Sequence, residues 1–398
     1  MKSMQNKIFL IWILICLFAI NIAFSESTQK KTICLNMIVK NERDVIERCL
    51  ESVLPLIDYW IIVDTGSSDG TQDIIKKYMQ NKNIPGELHE RPWVDFAHNR
   101  NQALQFAKGK GDYLLFIDAD DVLAFDPEFK LPFLDKDFYY LTMSFFGSRY
   151  GLVRLVNNHL LWKWEGVRHE TLICSNAKTS DYLKNVLNVC STDGARSKNP
   201  DKYKTDAEAL EVALEKEPHN TRIVFYLAQS YRDSLQYNKA LKMYQKRVTM
   251  GGWDQEIFYS LYQIGVLKEV LNFSSDEVIN AYLEAFKARP LRIEPLYRLA
   301  RYHRIQGNYD DGYKLAKIIS EMPFFNDLLF VEKWLYDYGI KFELSICAYW
   351  IGKYDECKHL CSMLANMNDI PEEIKIANFR NLQFAISKII EQMYKQKP

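Results

Sequence analysis

The chain has 398 residues, 48% hydrophobic and 26% charged, with 51 basic and 51 acidic side chains that cancel to a formal net charge of zero. That balance excludes a polybasic nucleic-acid binder and a polyacidic tail as whole-chain explanations, and eight cysteines are too few for a disulfide-built scaffold. The length fits two or three domains, each able to bury a core.

In chain order, the first element is an uncharged apolar run, Ile8 to Phe24, preceded by Lys2 and Lys7 and followed by Ser25, Glu26, Lys30 and Lys31. A basic lead and an apolar run of this kind form a secretory signal, with Ala23 and Ser25 set for a cut ahead of Glu26. The run also approaches the shortest membrane span. Residues 1–25 are therefore expected to be a signal peptide or membrane anchor, placing the chain in the secretory pathway or on a membrane. Cleavage would remove Cys16 and leave an odd number of cysteines, so at least one would be unpaired. Asn272-Phe273-Ser274 is a glycosylation sequon wherever an export pathway has that machinery.

Residues 31–191 alternate short apolar runs with amphipathic stretches. Ile33 to Val39 reads as a buried strand, and Asn41 to Leu54 as a helix with Ile46, Leu50, Val53 and Leu54 on one face. Tyr59 to Val63 is a second strand; Asp69-Gly70-Thr71-Gln72 opens the next helix, with Asp69 as cap and Gln72 placed to reach back. A helix from Phe96 to Ala107 and a strand from Asp112 to Ile117 complete a run of βα units, which implies a mostly parallel sheet with helices on its faces. Asp137 to Phe146, Leu152 to Val156 and Leu160 to Trp164 read as antiparallel or mixed strands.

Residues 192–202 form a polar connector containing Gly194 and Pro200, and residues 203–398 show only helical periodicity. Pro218, Phe225, Leu227-Ala228 and Tyr237 recur as Pro290, Tyr297, Leu299-Ala300 and Tyr309. The interval is about twice the 34-residue period of tetratricopeptide units, whose Leu-Ala and Gly-x-Tyr positions pack closely. About four units are expected, the second lengthened around Asn272, stacked into a solenoid with a concave face. Tyr226, Tyr231, Tyr259, Tyr262, Tyr297 and Tyr302 are more aromatic groups than packing alone requires, which points to acceptor or partner binding by this half.

Chemistry concentrates at strand ends. Phe116-Ile117-Asp118-Ala119-Asp120-Asp121 is a buried strand ending in carboxylates, where ligands of parallel sheets gather. Asp118 and Asp120 offer oxygen ligands to a hard divalent ion that can hold a diphosphate; a solvated acidic turn is the alternative. A haloacid-dehalogenase-type phosphatase would share this Asp-x-Asp but would open its domain with it, whereas here two βα units come first. Ile62 to Thr71 runs strand into turn into helix, its small residues allowing backbone amides to approach a nucleotide while Asp64 accepts from a base or ribose; a tight capped turn alone would explain Ser68 to Thr71. Cys357, His359 and Cys361 lack a local fourth ligand and read as helix packing. Trp162 and Trp164 alternate on a strand and could stack on a sugar or fill a core.

Val39-Lys40-Asn41-Glu42, Val63-Asp64-Thr65-Gly66-Ser67-Ser68-Asp69-Gly70-Thr71, Phe96-Ala97-His98-Asn99-Arg100-Asn101 and Asp118-Ala119-Asp120 resemble, in order and spacing, the motifs of family 2 glycosyltransferases with the GT-A fold. Trp164-Glu165-Gly166-Val167-Arg168-His169-Glu170 is similar to the Trp-x-Gly-x-x-His-Glu element of a bacterial and giant-virus branch that carries tetratricopeptide repeats, and Met250-Gly251-Gly252-Trp253 is similar to it as well. The resemblance implies an α/β fold: a GT-A nucleotide-sugar-binding, Rossmann-like domain over residues 31–191, followed by an all-α tetratricopeptide-like solenoid.

It further implies a probe-ready set of roles. Glu42 and Asp64 would contact the nucleoside and Arg100 the nucleotide; Asp118 and Asp120 would act through a Mn²⁺- or Mg²⁺-bound diphosphate, with His169 as third metal-side ligand. Glu170 or Glu165 would be the base that deprotonates the acceptor, since an inverting transfer needs a carboxylate opposite the leaving group and a cation for the departing diphosphate. UDP-sugars are the first choice of donor, although Thr65 stands where many members carry a second aspartate. The acceptor would be a protein, peptide or glycan held by the repeats. Two plainer readings stand beside these: His169 as an ordinary hydrogen-bonded histidine, and Arg100 pairing with a neighbour such as Asp95. The competing class is a non-catalytic scaffold with an inactive GT-A domain.

Overall fold

The computed structural model describes residues 30–395 apart from 146–147 and 326; the expected leader at 1–25 lies outside them. Among the described residues, no helix is long and apolar enough to cross a membrane.

The N-terminal half is one eight-stranded mixed sheet in the order β3-β2-β1-β4-β7-β6-β10-β5. Its strands are β1 (Ile33–Val39), β2 (Tyr59–Asp64), β3 (Gly86–Glu90), β4 (Tyr113–Phe116), β5 (Val122–Phe125), β6 (Phe138–Phe145), β7 (Ser148–Asn157) and β10 (Ser180–Val189). β1 lies between β2 and β4, parallel to both, and β7 then reverses the direction. A small separate hairpin joins β8 (Lys163–Glu165) to β9 (Thr171–Ile173).

Both faces of the parallel part are covered, which is why its strands read as continuous apolar runs. Ile33, Leu35, Met37 and Val39 point to one face and pack with Ile46, Leu50 and Val53 of α1 (Ile46–Val53) and Ile75 and Met79 of α2 (Thr71–Asn81). Cys34, Ile61, Leu114 and Phe116 point to the other, against Leu104 of α3 (Phe96–Phe106) and Ala107. Buried Asn36 is satisfied by donating Nδ2 to the Ala103 carbonyl at 2.8 Å.

Several details depart from the periodicity. α1 begins at Ile46, not Asn41, because Asn41 takes a left-handed φ of 57° and its amide donates to Ser67 Oγ at 2.8 Å. Residues 41–45 thus form a loop wrapped on the β2–α2 turn, carrying Glu42 to the sheet end. Leu160 to Trp164 is mostly turn, with only Lys163–Glu165 in a strand. β3, β5 and β10 escaped the sequence reading: β3 is half-exposed and polar, and β10 buries only Leu183, Val186 and Asn188 among its ten residues.

Apart from its connections, the longest of which after α10 bridges back to the sheet at Val331, the second half is helical: α4 (Lys202–Lys216), α5 (Thr221–Asp233), α6 (Tyr237–Thr249), α7 (Asp254–Val270), α8 (Ser275–Ala288), α9 (Glu294–Ile305), α10 (Tyr309–Ser320), α11 (Ile340–Trp350), α12 (Tyr354–Ala365) and α13 (Glu372–Lys395), with a π-helical turn at Leu335–Gly339. Phe225, Leu227 and Ala228, the repeated positions, lie in one buried cluster; Tyr297 and Leu299 lie in the next. The α7–α8 pair is the long one, as the lengthened second unit requires.

Buried ion pairs stitch the stack. Arg247 is fully buried and donates twice to Glu256 Oε2, at 3.0 and 2.9 Å, and once to the Gly251 carbonyl at 2.6 Å. Losing one partner of such a pair strands the other charge. Arg247→Met should therefore lower unfolding free energy by about 3 kcal/mol, read as a fall in the denaturation midpoint; an unchanged midpoint would show the pair to be energetically idle.

Candidate functional site

The carboxyl ends of β1, β2 and β4 converge. β2 ends at Asp64, whose Oδ1 accepts from the amides of Gly66 (2.9 Å) and Ser67 (2.8 Å) and from Gln72 Nε2 (3.1 Å). Its Oδ2 is buried without a partner. Gln72 therefore reaches back to Asp64 instead of the helix start, and the N-cap of α2 is Gly70 rather than the expected Asp69, whose carboxylate accepts from the Thr71 amide and hydroxyl at 3.0 and 2.6 Å. A buried, unsatisfied carboxylate oxygen is costly, so Asp64 is presented for a donor that a ligand can supply.

Across the turn, Glu42 Oε2 accepts from the Ala195 amide at 3.1 Å. Burial, with a contribution from the Asp120 charge, pushes its carboxyl up to about 7. The connector lies close over the strand ends: Gly194 sits where a Cβ would come within 2.6 Å of Asp120 Oδ2, so only glycine fits without moving that carboxylate. Arg48 from α1 ties the same region together, donating to Asp193 at 2.5 Å and to the Asp120 carbonyl at 2.8 Å.

Past β4, Asp118 is gripped by two arginines. Arg100 on α3 donates Nη2 to Asp118 Oδ1 at 2.6 Å and Nε to Glu170 Oε1 at 2.6 Å, and its guanidinium lies 5.1 Å from the centre of the Trp164 ring. Arg154 on β7 donates to Asp118 Oδ2 at 3.0 Å and lies 3.9 Å from Asp121. Burial alone would raise the Asp118 pKa, but the Arg154 and Arg100 charges win and hold it below the usual carboxylate range. Asp120 and Asp121 go the other way: burial and the Asp118 charge raise Asp120 and push Asp121 up to about 6. Asp121 is held by Asn188 Nδ2 at 2.7 Å.

The loop bearing His169 and Glu170 is clamped from the helical half. Gly166 and His169 take φ of 107° and 51°. The His169 ring stacks on Tyr226 of α5, centroids 4.1 Å apart, and its carbonyl accepts from Arg222 at 2.9 Å. Arg168 pairs with Asp206 of α4 at 2.7 Å, as does Arg196 of the connector at 2.5 Å. Desolvation of the imidazole where it packs on Tyr226, together with the Arg196 and Arg222 charges, pushes its pKa down to about 4 against the pull of Asp206 and Glu170 although the residue keeps an exposed surface, so the ring is neutral at pH 7. A left-handed non-glycine residue persists only where its surroundings over-determine it, and here the repeats do so.

The structure thus brings Arg100, Asp118 and Glu170 into one hydrogen-bonded unit, with Glu42 and Asp120 facing each other through the connector. Asp95 caps α3 by accepting from the His98 amide at 2.7 Å, which leaves Arg100 free for the site. Glu165 stands apart, exposed and paired with Lys163 at 2.8 Å. His169 is not grouped with Asp118 and Asp120: among the described residues no three His, Cys, Asp or Glu side chains lie close enough to hold a metal ion. Asp118 and Asp120 still fit a hard cation by donor type, and the crowding of Asp118, Asp120 and Asp193 charges is what such a cation would relieve. Trp164 is core, edge-on to Phe116 at 5.3 Å.

Arg154, Arg48, Arg222 and Asp206 were not singled out from sequence, and Tyr226 was read as part of a docking surface, not as a clamp on His169. Only Arg154 left a signal, a charge inside the apolar strand Val153-Arg154-Leu155-Val156. Of the groove tyrosines, Tyr231, Tyr262, Tyr297 and Tyr302 are buried, Tyr226 stacks on His169, and Tyr259 packs at a tilt against Phe330. They are packing groups, because the chain fills this stretch itself. Arg292 donates to the Leu329 and Phe330 carbonyls, Gln255 accepts from the Leu328 and Leu329 amides, and Val331 bridges to Arg149 of β7.

Residues 34–171 match the family described as Glycosyl transferase family 2. A TPR repeat-containing protein of Synechococcus elongatus is 38% identical over 92 residues, 23% of this chain and 21% of its own length. The SPbeta prophage-derived glycosyltransferase SunS of Bacillus subtilis is 34% identical over 101 residues, 25% of this chain and 23% of its own. The aligned part thus spans under a quarter of either relative. Among solved structures, a tetratricopeptide repeat protein from Parabacteroides merdae is similar over 50% of this chain and 75% of its own, at 17% identity and a TM-score of 0.35.

Because Arg222 and Tyr226 hold the His169–Glu170 loop, the double variant Arg222→Ala/Tyr226→Leu should raise amide deuterium uptake across residues 166–171 several-fold while leaving β1, β2 and β4 protected. Unchanged uptake in the loop would mean that the sheet domain holds it unaided.

Proposed function

We propose that this chain, whose residues 34–171 form a glycosyl transferase family 2 domain joined to tetratricopeptide-like helical repeats, moves a sugar from a nucleotide-sugar donor to an acceptor with inversion at the anomeric carbon. The observation that carries the proposal is the Arg100-centred unit, which ties Asp118 and Glu170 together past the carboxyl end of β4, in the same sheet that ends β2 with the unpartnered Asp64 oxygen. Ligands of such sheets bind there.

In this reading Asp64 Oδ2 accepts from the nucleoside, with a UDP-sugar the first choice, and Glu42 lies beside it. Arg100 faces the nucleotide as it holds Asp118. A divalent cation, when bound, would be held by Asp120 with Asp118 and would supply positive charge to the leaving diphosphate. Its fit rests on oxygen donors alone; His169, stacked on Tyr226, serves to shape the loop. Glu170, oriented by Arg100, takes the acceptor proton as the acceptor atom bonds to the anomeric carbon. The bond from that carbon to the phosphate oxygen breaks, and its electron pair leaves with the nucleoside diphosphate. The acceptor is a protein, peptide or glycan reaching the site along the helical half. Export through residues 1–25 is part of the proposal and is tested by N-terminal sequencing of the mature chain.

Calorimetric titration of the purified chain with nucleotide sugars, with and without Mn²⁺, tests the reading. One sugar nucleotide should bind, Asp120→Asn should abolish the Mn²⁺-dependent part, and Glu170→Gln should keep donor affinity while lowering turnover about 100-fold. Absence of binding by every nucleotide sugar would leave the non-catalytic scaffold in its place, and a turnover loss confined to Glu165→Gln would move the base.

Glu42 adds a pH signature. Its folded pKa, about 7, lies above the ordinary 4.5, so its contribution to folding is fully present below pH 4.5 and is lost as pH rises through 7. Neutral Glu42 also repels a diphosphate less. Nucleotide affinity should therefore fall as pH rises through about 7, and Glu42→Gln should hold the low-pH affinity across that range; a parallel pH profile in the variant would assign the transition elsewhere.

A further inference from the structure

Helix α13 is the last of the stack and the longest, 24 residues. Only Asn378 and Ala385 of it are buried, with Leu382 packed partly against the same cluster. Nothing beyond Ala385 is buried, so its last ten residues, 386–395, gain little from the repeats. A helical segment of that length is marginal in water without a packed face.

A neighbouring face is apolar too. Ile376, Phe379, Ile386, Ile390 and Met393 are 38 to 63% exposed, and exposed Gln383 completes their row. The six positions are spaced three, four, three, four and three, the a/d pattern of a coiled-coil seam, which repeats every 3.5 residues. An a/d row selects another helix with the same repeat, and a lone polar group in the row, here Gln383, sets register.

Charge selects the orientation. Glu372 and Glu373 occupy the first turn and Lys395 the last. An antiparallel pair places the acidic end of one helix beside the basic end of the other and opposes the two macrodipoles. It also pairs Ile376 with Met393, Phe379 with Ile390, and Gln383 with Ile386 about one two-fold axis, as an isologous contact requires. Covering both rows would bury roughly 1,000 Å² in all, the lower bound for a specific interface.

We propose that the exposed face of α13 binds α13 of a second copy of this chain as an antiparallel two-helix seam, joining two molecules at the ends of their solenoids and leaving both sheet domains at the far ends. The seam is modest in area, so association in the micromolar range is expected.

Sedimentation equilibrium of the full chain between about 1 and 100 µM tests it. A monomer–dimer equilibrium is expected, with Ile386→Glu/Ile390→Glu monomeric across the range at an unchanged unfolding midpoint. A wild type monomeric at the highest concentration overturns the proposal, as does a variant that still dimerises. Dimerisation only after removal of residues 1–25 would show that the N-terminal apolar run covers this face, which also overturns it. Orientation is read separately. Oxidised Ile376→Cys/Met393→Cys should give a covalent dimer whose peptides join position 376 to 393, with neither single variant cross-linking; 376-to-376 linkage would refute the antiparallel seam.

Discussion

The geometry of the site depends on where the Arg100 guanidinium goes. Fully enclosed, it satisfies two carboxylates from opposite sides, Asp118 after β4 and Glu170 after the Trp164 strand. A buried arginine without such partners would be untenable, whereas Asp118 keeps its side chain 41% exposed toward the site. Arg154 then fills the second oxygen of Asp118 and reaches toward Asp121. Two cations thus support a cluster of acids in which Asp118 is stabilised as the anion while Asp120 and Asp121 are not. Carboxylates with divided tendencies at one strand end are the usual setting for ligand chemistry.

The helical half belongs to the same unit. Asp206, Arg222 and Tyr226 sit on its first two helices and touch the loop carrying Glu170. The network runs on: Glu256 lies 4.0 Å from Arg222 and is bound by buried Arg247, which holds the Gly251 carbonyl. The Gly251-Gly252-Trp253 turn is therefore connected to the candidate base through side chains rather than along the chain. This explains why a domain match ending at residue 171 does not enclose everything that shapes the site.

A concave helical surface is not automatically an open one. Residues 327–333 lie against the helices here, with Arg292 and Gln255 of α7 binding their backbone and Phe330 between Tyr150 and Tyr259. Val331 bridges to β7 at Arg149, so the segment ties the solenoid to the sheet. Aromatic groups that looked like a docking surface are consumed in this closure.

The strand-end motifs, the βα alternation and the change to helices after the connector are properties of local pattern, and sequence alone determined them. Burial on both faces imposes continuous apolar strands, glycine and aspartate mark the turns, and stacked helices repeat their small residues. β3 and β10 were hidden because, polar and partly exposed, they carry no clean period. The partners of Arg100, the separation of His169 from Asp118 and Asp120, and the clamp from Arg222 and Tyr226 were decided only by tertiary structure. Each joins residues tens of positions apart, and no local pattern records which distant carboxylate a buried guanidinium will find. The heptad row on α13 shows both sides: its spacing was present in the chain, but a second apolar face has meaning only once the first is seen to be covered.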